Sequence, residues 1–237
     1  VAAVLEVENV SVSFGGLVAL KGVSMRVDHG EIVGLIGPNG AGKTTLLNCI
    51  CGVYRTSKGV VRLEGRVINR LRPYQICRLG IARTFQIPRP FLRLTVWENV
   101  MVGYRGNRDA TEHLRLVGLD RKKDMVASSL TLHERRKLEI ARALATNPRL
   151  ILLDEVMAGL NPVEVDEMIH TLQAIRGITG VTILWIEHVM RAVMEAAERI
   201  VVLHEGRKVA EGTPKEIAQN ERVIEIYLGE RYAFKGD

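Results

Sequence analysis

Residues 34–47 read Gly34-Leu35-Ile36-Gly37-Pro38-Asn39-Gly40-Ala41-Gly42-Lys43-Thr44-Thr45-Leu46-Leu47. An apolar strand over 31–36 runs through a glycine-rich turn into a helix over 45–51, and Gly37-x4-Gly42-Lys43-Thr44 fits the phosphate-loop pattern. Glycines let consecutive backbone N–H groups wrap a polyphosphate, and the helix that follows turns its positive dipole end toward the same anion. Lys43 is expected to reach the β- and γ-phosphates, and the Thr44 hydroxyl to ligate Mg²⁺. The candidate nucleotide-binding set is therefore Gly37, Pro38, Asn39, Gly40, Ala41, Gly42, Lys43, Thr44 and Thr45. A dinucleotide fingerprint is excluded because no G-x-G-x-x-G occurs, and a GTPase is disfavoured because Asn-Lys-x-Asp is absent.

Working away from this loop, 237 residues with 47% hydrophobic and 25% charged content suit one sizeable globular core. The longest apolar runs (150–153, 181–186, 200–203) fall far short of the ~20 residues a membrane span needs. No basic n-region precedes an apolar segment at the start, so no signal peptide is expected. Cys49, Cys51 and Cys77 are odd in number and lack metal-ligand spacing, so they read as reduced packing residues. Much of the basic excess, formally +6, falls between Arg55 and Arg149, as on a solvated surface or one close to anionic lipid. Nucleic acid is not an expected partner, since no base-reading module or aromatic platform accompanies the charge.

Along the chain, alternation predicts strands over 4–10 and 22–27, with Phe14 between them, and a hairpin over 60–63 and 66–68. Taken alone, Phe14 reads as core. After Gln86 the segment Ile87-Pro88-Arg89-Pro90 breaks regular structure, and helical patterns follow over 95–102 and 109–117. Thr131-Leu132-His133-Glu134 is a capping box opening a helix that runs to Asn147-Pro148. Leu150-Ile151-Leu152-Leu153-Asp154-Glu155 reads as a strand buried on both faces, whose two acids emerge at the carboxyl end where ligands bind in open α/β sheets. Pro162 opens a further helix, 181–186 is a second buried strand delivering Glu187-His188 to the same rim, 200–203 and 207–210 pair antiparallel, and Thr213-Pro214 caps a final helix before an amphipathic tail at 223–228.

A phosphate loop and two strand ends bearing Asp154-Glu155 and His188 make a constellation suited to ATP hydrolysis. Asp154 is expected to hold Mg²⁺ directly or through water, Glu155 to address the attacking water, and His188 to sense the γ-phosphate.

These motifs, in this order, resemble the ATP-binding subunits of ABC transporters over nearly the whole chain. The resemblance implies an α/β fold: a phosphate-loop NTPase core with a mainly parallel sheet (1–86 and 148–212), an antiparallel β subdomain, an inserted helical lobe (87–147) and a C-terminal helical tail (213–237). It also implies adenine stacking by Phe14, contact of Gln86, in Arg83-Thr84-Phe85-Gln86, with Mg²⁺ and the attacking water, and ATP with Mg²⁺ as cofactors. Thr131 falls in the signature segment that meets the nucleotide of a second ATPase subunit, and exposed apolar residues over 87–100 are where a membrane permease subunit would dock. Arg-Thr-Phe-Gln, Asp-Glu-Val-Met-Ala-Gly-Leu-Asn-Pro, Ile-Glu-His and the tail Val-Ile-Glu-Ile-Tyr-Leu-Gly-Glu are similar to ATPases of branched-chain amino acid uptake. That subgroup implies a peripheral place on the cytoplasmic face of the cell membrane and an external solute-binding protein. The competing assignments are a lipopolysaccharide-export ATPase and a soluble ABC-type ATPase, although the long insertions or second cassette of the latter are missing. Three departures stand out: Leu130-Thr131-Leu132-His133-Glu134 replaces Leu-Ser-Gly-Gly-Gln, Val156 replaces proline, and Asn161 replaces the D-loop aspartate. Side chains on Leu132 and His133 crowd the approach to a facing phosphate, so the expected partner is a different ATPase with an intact signature.

Overall fold

The computed structural model describes residues 3–105 and 109–233, with backbone alone over 228–233. Residues 1–2, 106–108 and 234–237, which the expected core, lobe and tail include, lie outside the described residues. Two sheets organise the chain. An antiparallel sheet holds β1 (Ala3–Phe14), β2 (Leu17–Asp28), β4 (Lys58–Leu63) and β5 (Arg66–Val67) in the order β2-β1-β4-β5. A second sheet holds β3 (Ile32–Ile36), β6 (Ile81–Arg83), β7 (Leu150–Asp154), β8 (Thr182–Ile186), β9 (Arg199–His204) and β10 (Arg207–Gly212) in the order β10-β9-β3-β8-β7-β6. All its pairings are parallel except β10 with β9.

β1 runs four residues past the expected end at Val10. The alternation that marks a strand fails at Glu8-Asn9, where Asn9 takes φ 48° and the register with β2 shifts between Val7 and Val10. A bulge of this kind hides continuity, since one extra residue exchanges the two faces. β7 and β8, by contrast, are buried at every position, as their apolar runs predict. Ile151, Leu153, Ile183 and Trp185 enter one apolar cluster, whereas Leu150, Leu152, Leu184 and Ile186 enter the other. Both faces of this sheet are thus covered, which parallel strands require.

The helices are α1 (Lys43–Ile50), α2 (Pro73–Leu79), α3 (Val96–Met101), α4 (Thr111–Leu116), α5 (Leu132–Leu144), α6 (Pro162–Thr179), α7 (Met190–Ala196), α8 (Pro214–Ala218) and α9 (Glu221–Ala233). Their starts follow local chemistry. Thr95, Thr131, Asn161 and Thr213 cap α3, α5, α6 and α8, each with the carboxylate of a Glu three residues on returning to the cap's N–H. Such a cap contributes about 1 kcal/mol. The segment between β6 and β7 carries α3, α4 and α5, and its apolar residues Val96, Leu114 and Leu138 belong to the same cluster as Leu153 and Trp185 of the sheet. α2, α7 and the three-residue β6 have no counterpart in the sequence reading, being too short to show a period. Cys49, Cys51 and Cys77 are free thiols, and burial pushes Cys49 up to about 12 and Cys51 to about 11. No described helix is long and apolar enough to cross a membrane.

Candidate functional site

The phosphate loop joins the buried end of β3 to α1. Gly37 has φ 148° and a Cβ there would fall 2.1 Å from the Leu203 carbonyl oxygen, while Gly42 has φ 101° with the Ala19 carbonyl 2.9 Å from its Cβ position. Neither position accepts a side chain, so the loop's glycines are demanded by backbone shape and by close packing together. Lys43 is 6% exposed and donates from Nζ to the carbonyls of Gly37 (2.5 Å) and Pro38 (2.9 Å). Thr44 is exposed at the helix start, and Thr45 half-buried.

A cleft of about 630 Å³ opens over this loop, lined by Asn39 to Thr45 and by Phe14, Lys21, Glu155, His188 and Glu205. Phe14 is 44% exposed, which overturns the core placement that its residue type alone favours. Standing at the last position of β1, it has strand neighbours on one side only. Its ring meets Tyr54 edge-on with centroids 5.0 Å apart. Tyr54 drew no notice in the sequence because its loop carries no periodic pattern.

Beyond the loop, three side chains from distant parts of the chain converge. Glu155, just past β7, accepts from Gln86 Nε2 on Oε2 (2.6 Å) and meets His188 Nε2 with Oε1 (2.5 Å). Its backbone sits at φ 50°, and its N–H donates to the Ile186 carbonyl at 2.9 Å, which aims the carboxylate off the end of the sheet. A non-glycine residue held at positive φ stores strain that its surroundings must offset, as functional sites often do.

Asp154 is 3% exposed, and its Oδ2 is 2.7 Å from Arg83 Nη2. Arg83 in turn donates from Nη1 to Asn48 Oδ1 of α1 at 2.5 Å. The aspartate is therefore tied to the base of α1 through an arginine that no motif singled out. Among the described residues no cluster of three His, Cys, Asp or Glu groups is arranged to hold a metal. Thr44 and Asp154 still fit Mg²⁺, which keeps water and phosphate oxygens as its main ligands. Thr44 lines the cleft, whereas Asp154, buried on Arg83, is not among its lining residues.

Thr131 is not among the residues lining this cleft. It caps α5: its Oγ1 accepts from Glu134 N at 3.2 Å, and Glu134 Oε2 accepts from Thr131 N at 3.1 Å. Lys122 pairs with Glu134 as well. Leu132 is 43% exposed, while His133 is buried beside Glu167, and that burial holds its imidazole below the ordinary pKa. The end of α5 thus offers a leucine and an already engaged hydroxyl and carboxylate.

Comparison with known proteins agrees with this geometry. The family model for ABC transporters matches residues 20–158, and a model for branched-chain amino acid ATP-binding cassette transporters matches residues 207–233. The chain is 40% identical to the high-affinity branched-chain amino acid transport ATP-binding protein BraF of Pseudomonas aeruginosa, over 96% of this chain and 98% of that protein. Identity to the lipopolysaccharide export system ATP-binding protein LptB of Haemophilus influenzae is 35%, over 97% and 98% of the two chains. A solved ADP conformation of an ATP-binding cassette of an ABC transporter superposes with a TM-score of 0.89 at 31% identity, covering 97% of this chain and all of the other.

Proposed function

The chain belongs to the ATP-binding subunits of ABC transporters, and on that footing we propose that it hydrolyses ATP to drive uptake of branched-chain amino acids through separate membrane-spanning subunits. The observation that carries the chemistry is the placement of Gln86 and His188 on the two oxygens of Glu155, at the open side of the phosphate-loop cleft. Glu155 is suited to take the proton of the water that attacks the γ-phosphate, with Gln86 and His188 fixing its orientation. Lys43 exchanges the carbonyls of Gly37 and Pro38 for the β- and γ-phosphates, and the loop N–H groups take the remaining oxygens. Phe14 stacks on the adenine from the far wall. When bound, Mg²⁺ would supply neutralisation of the charge that develops in phosphoryl transfer. Thr44 and Asp154 would hold it.

The engaged end of α5 supports a partner that differs from this chain. Glu134 already occupies the positive pole of the helix, and Leu132 stands in front of it, so a facing triphosphate meets a carboxylate and a methyl-bearing side chain. A second cassette with glycines at these positions supplies the signature for this chain's own phosphate loop. Ile87, Phe91, Leu92, Trp97 and Val102 are exposed along 87–102, and a cytoplasmic segment of the membrane-spanning subunit docks there. On this reading the chain works at the cytoplasmic face of the membrane, with a solute-binding protein delivering substrate on the other side.

The decisive experiment reconstitutes the full chain with its membrane-spanning subunits and second cassette in liposomes. Leucine, isoleucine or valine, presented with a solute-binding protein, is expected to raise ATP turnover several-fold and to accumulate inside. Stimulation by lipopolysaccharide instead, or none by any amino acid, would overturn the substrate assignment.

A further inference from the structure

Two buried charges near Glu155 have no part in the chemistry above. Arg136, on α5, is 4% exposed, and Glu187, just past β8, is 2% exposed. Arg136 donates from Nη1 to the Phe85 carbonyl at 3.1 Å and from Nη2 to the Ala158 carbonyl at 3.4 Å. Glu187 accepts the Met157 N–H on Oε1 at 2.8 Å, and the N–H groups of His188 and Val189 on Oε2 at 2.9 and 3.3 Å.

We propose that Arg136 and Glu187 are positioning residues for Gln86, Glu155 and His188, gripping by the main chain the three loops that bring those side chains together. The contacts close into a ring. Gln86 follows Phe85, Met157 and Ala158 follow Glu155, and His188 follows Glu187; across the middle, Gln86 and His188 both rest on Glu155. Both grips engage main-chain groups, so they constrain where each loop runs whatever side chain it bears. A buried ion is costly unless its hydrogen bonds are made, and here each ion meets peptide groups of two separate segments. If one loop moves, the charge it serves loses partners, which couples the three loops. Arg136 lies four residues from the start of α5, so the same residue joins the helix end presented to a partner subunit to the loop bearing Gln86.

Neither residue is replaceable by a near neighbour. Lysine keeps the charge of Arg136 but loses the planar fork that spans two carbonyls. Glutamine at position 187 offers one carbonyl oxygen to three N–H groups and turns an amide donor toward the rest.

The proposal rests on Glu155 as the hydrolytic residue, and the test separates the two. ATP turnover and ADP affinity of the full chain in its assembled transporter are measured for Arg136→Lys, Glu187→Gln, Gln86→Ala, Arg136→Lys with Gln86→Ala, and Glu155→Gln, with melting curves for each. Arg136→Lys and Glu187→Gln are expected to lower kcat at least tenfold while KM and ADP affinity stay within twofold. The loss in the doubly substituted chain is expected to fall short of the product of the two single losses. Wild-type kcat in Arg136→Lys, or single losses that simply multiply, would overturn the positioning role. Should Glu187→Gln not fold, the Arg136 and Gln86 cycle decides alone. Wild-type turnover in Glu155→Gln would instead overturn the underlying reading.

Discussion

Replacing Glu139 by glutamine should stabilise the protein at alkaline pH and leave its stability nearly unchanged in acid. Glu139 lies on α5, three residues after Arg136 and three before Arg142, and is 6% exposed. Its Oε1 accepts the Phe85 N–H at 3.4 Å. The charges acting on it are Arg136 and Arg142 on its own helix, and the Phe85 and Arg89 N–H groups favour its ionised form as well. Arg142 spends its own hydrogen bond on the Arg89 carbonyl and lies over the Phe91 ring. Burial outweighs these attractions and pushes the Glu139 carboxyl from 4.5 up to about 7. At ~1.4 kcal/mol for each pH unit, ionising it in the folded chain costs about 3 kcal/mol more than in the unfolded chain. The sign follows from proton binding. Between pH 4.5 and 7 the folded state holds the proton more tightly, so stability from this group is full below 4.5 and is lost as pH rises through 7. A glutamine never ionises and escapes the loss. Urea unfolding of the full chain, followed by tryptophan fluorescence, should therefore show E139Q more stable by about 3 kcal/mol at pH 8 and nearly equal to wild type at pH 4.5. For a chain of this size that corresponds to roughly 6–10 °C in Tm. An E139Q protein less stable than wild type at pH 8, or a difference independent of pH, would show that the carboxylate gains more from Arg136 and Arg142 than burial takes away.

Three further outcomes are expected. Glu155→Gln should cut phosphate release at least a hundredfold while fluorescent-nucleotide binding persists, because it removes a proton acceptor and leaves the phosphate loop intact. Gly37→Ala should abolish nucleotide binding and lower stability by about 1–3 kcal/mol, since its methyl meets the Leu203 carbonyl at a backbone angle open to glycine; unfolding and nucleotide titration read both effects. Leu132→Gly with His133→Gly should raise the ATPase rate of the chain assayed without a partner cassette, and an unchanged rate would show that the end of α5 does not limit a homodimeric site.

How far the site is legible from sequence depends on how local its causes are. The phosphate loop is local: backbone shape, helix dipole and the lysine all lie within eight residues, and the cleft forms around them. Helix caps are equally local, and Thr131 and Thr213 each sit where the capping pattern puts them. Strand β7 shows itself by an apolar run too dense for a one-sided sheet. Gln86 is different. Nothing around it in sequence sets it apart from a surface glutamine, and only the family resemblance draws it toward the nucleotide. Arg83 looks like one more basic residue in a basic region until it is found on Asp154 and Asn48. Residue type alone puts Phe14 inside, whereas the family resemblance turns it toward the nucleotide, and a strand end leaves it on the wall of the cleft.

Spacing and composition along the chain predict a glycine-rich phosphate loop between a strand and a helix, two acids at the end of a buried strand, and helices opening at Thr131 and Thr213, and the fold places each there. These depend on interactions spanning a few residues, whose energies do not wait on the rest of the fold. The meeting of Gln86 with Glu155 across 69 residues and of His188 with Glu155 across 33 came from the order of β6, β7 and β8 in one sheet. So did the burial of Arg136, Glu139 and Glu187 beneath the loops they hold. Strand order and burial belong to the packed molecule, since a charge acquires its cost and its partners only when water has been removed from around it.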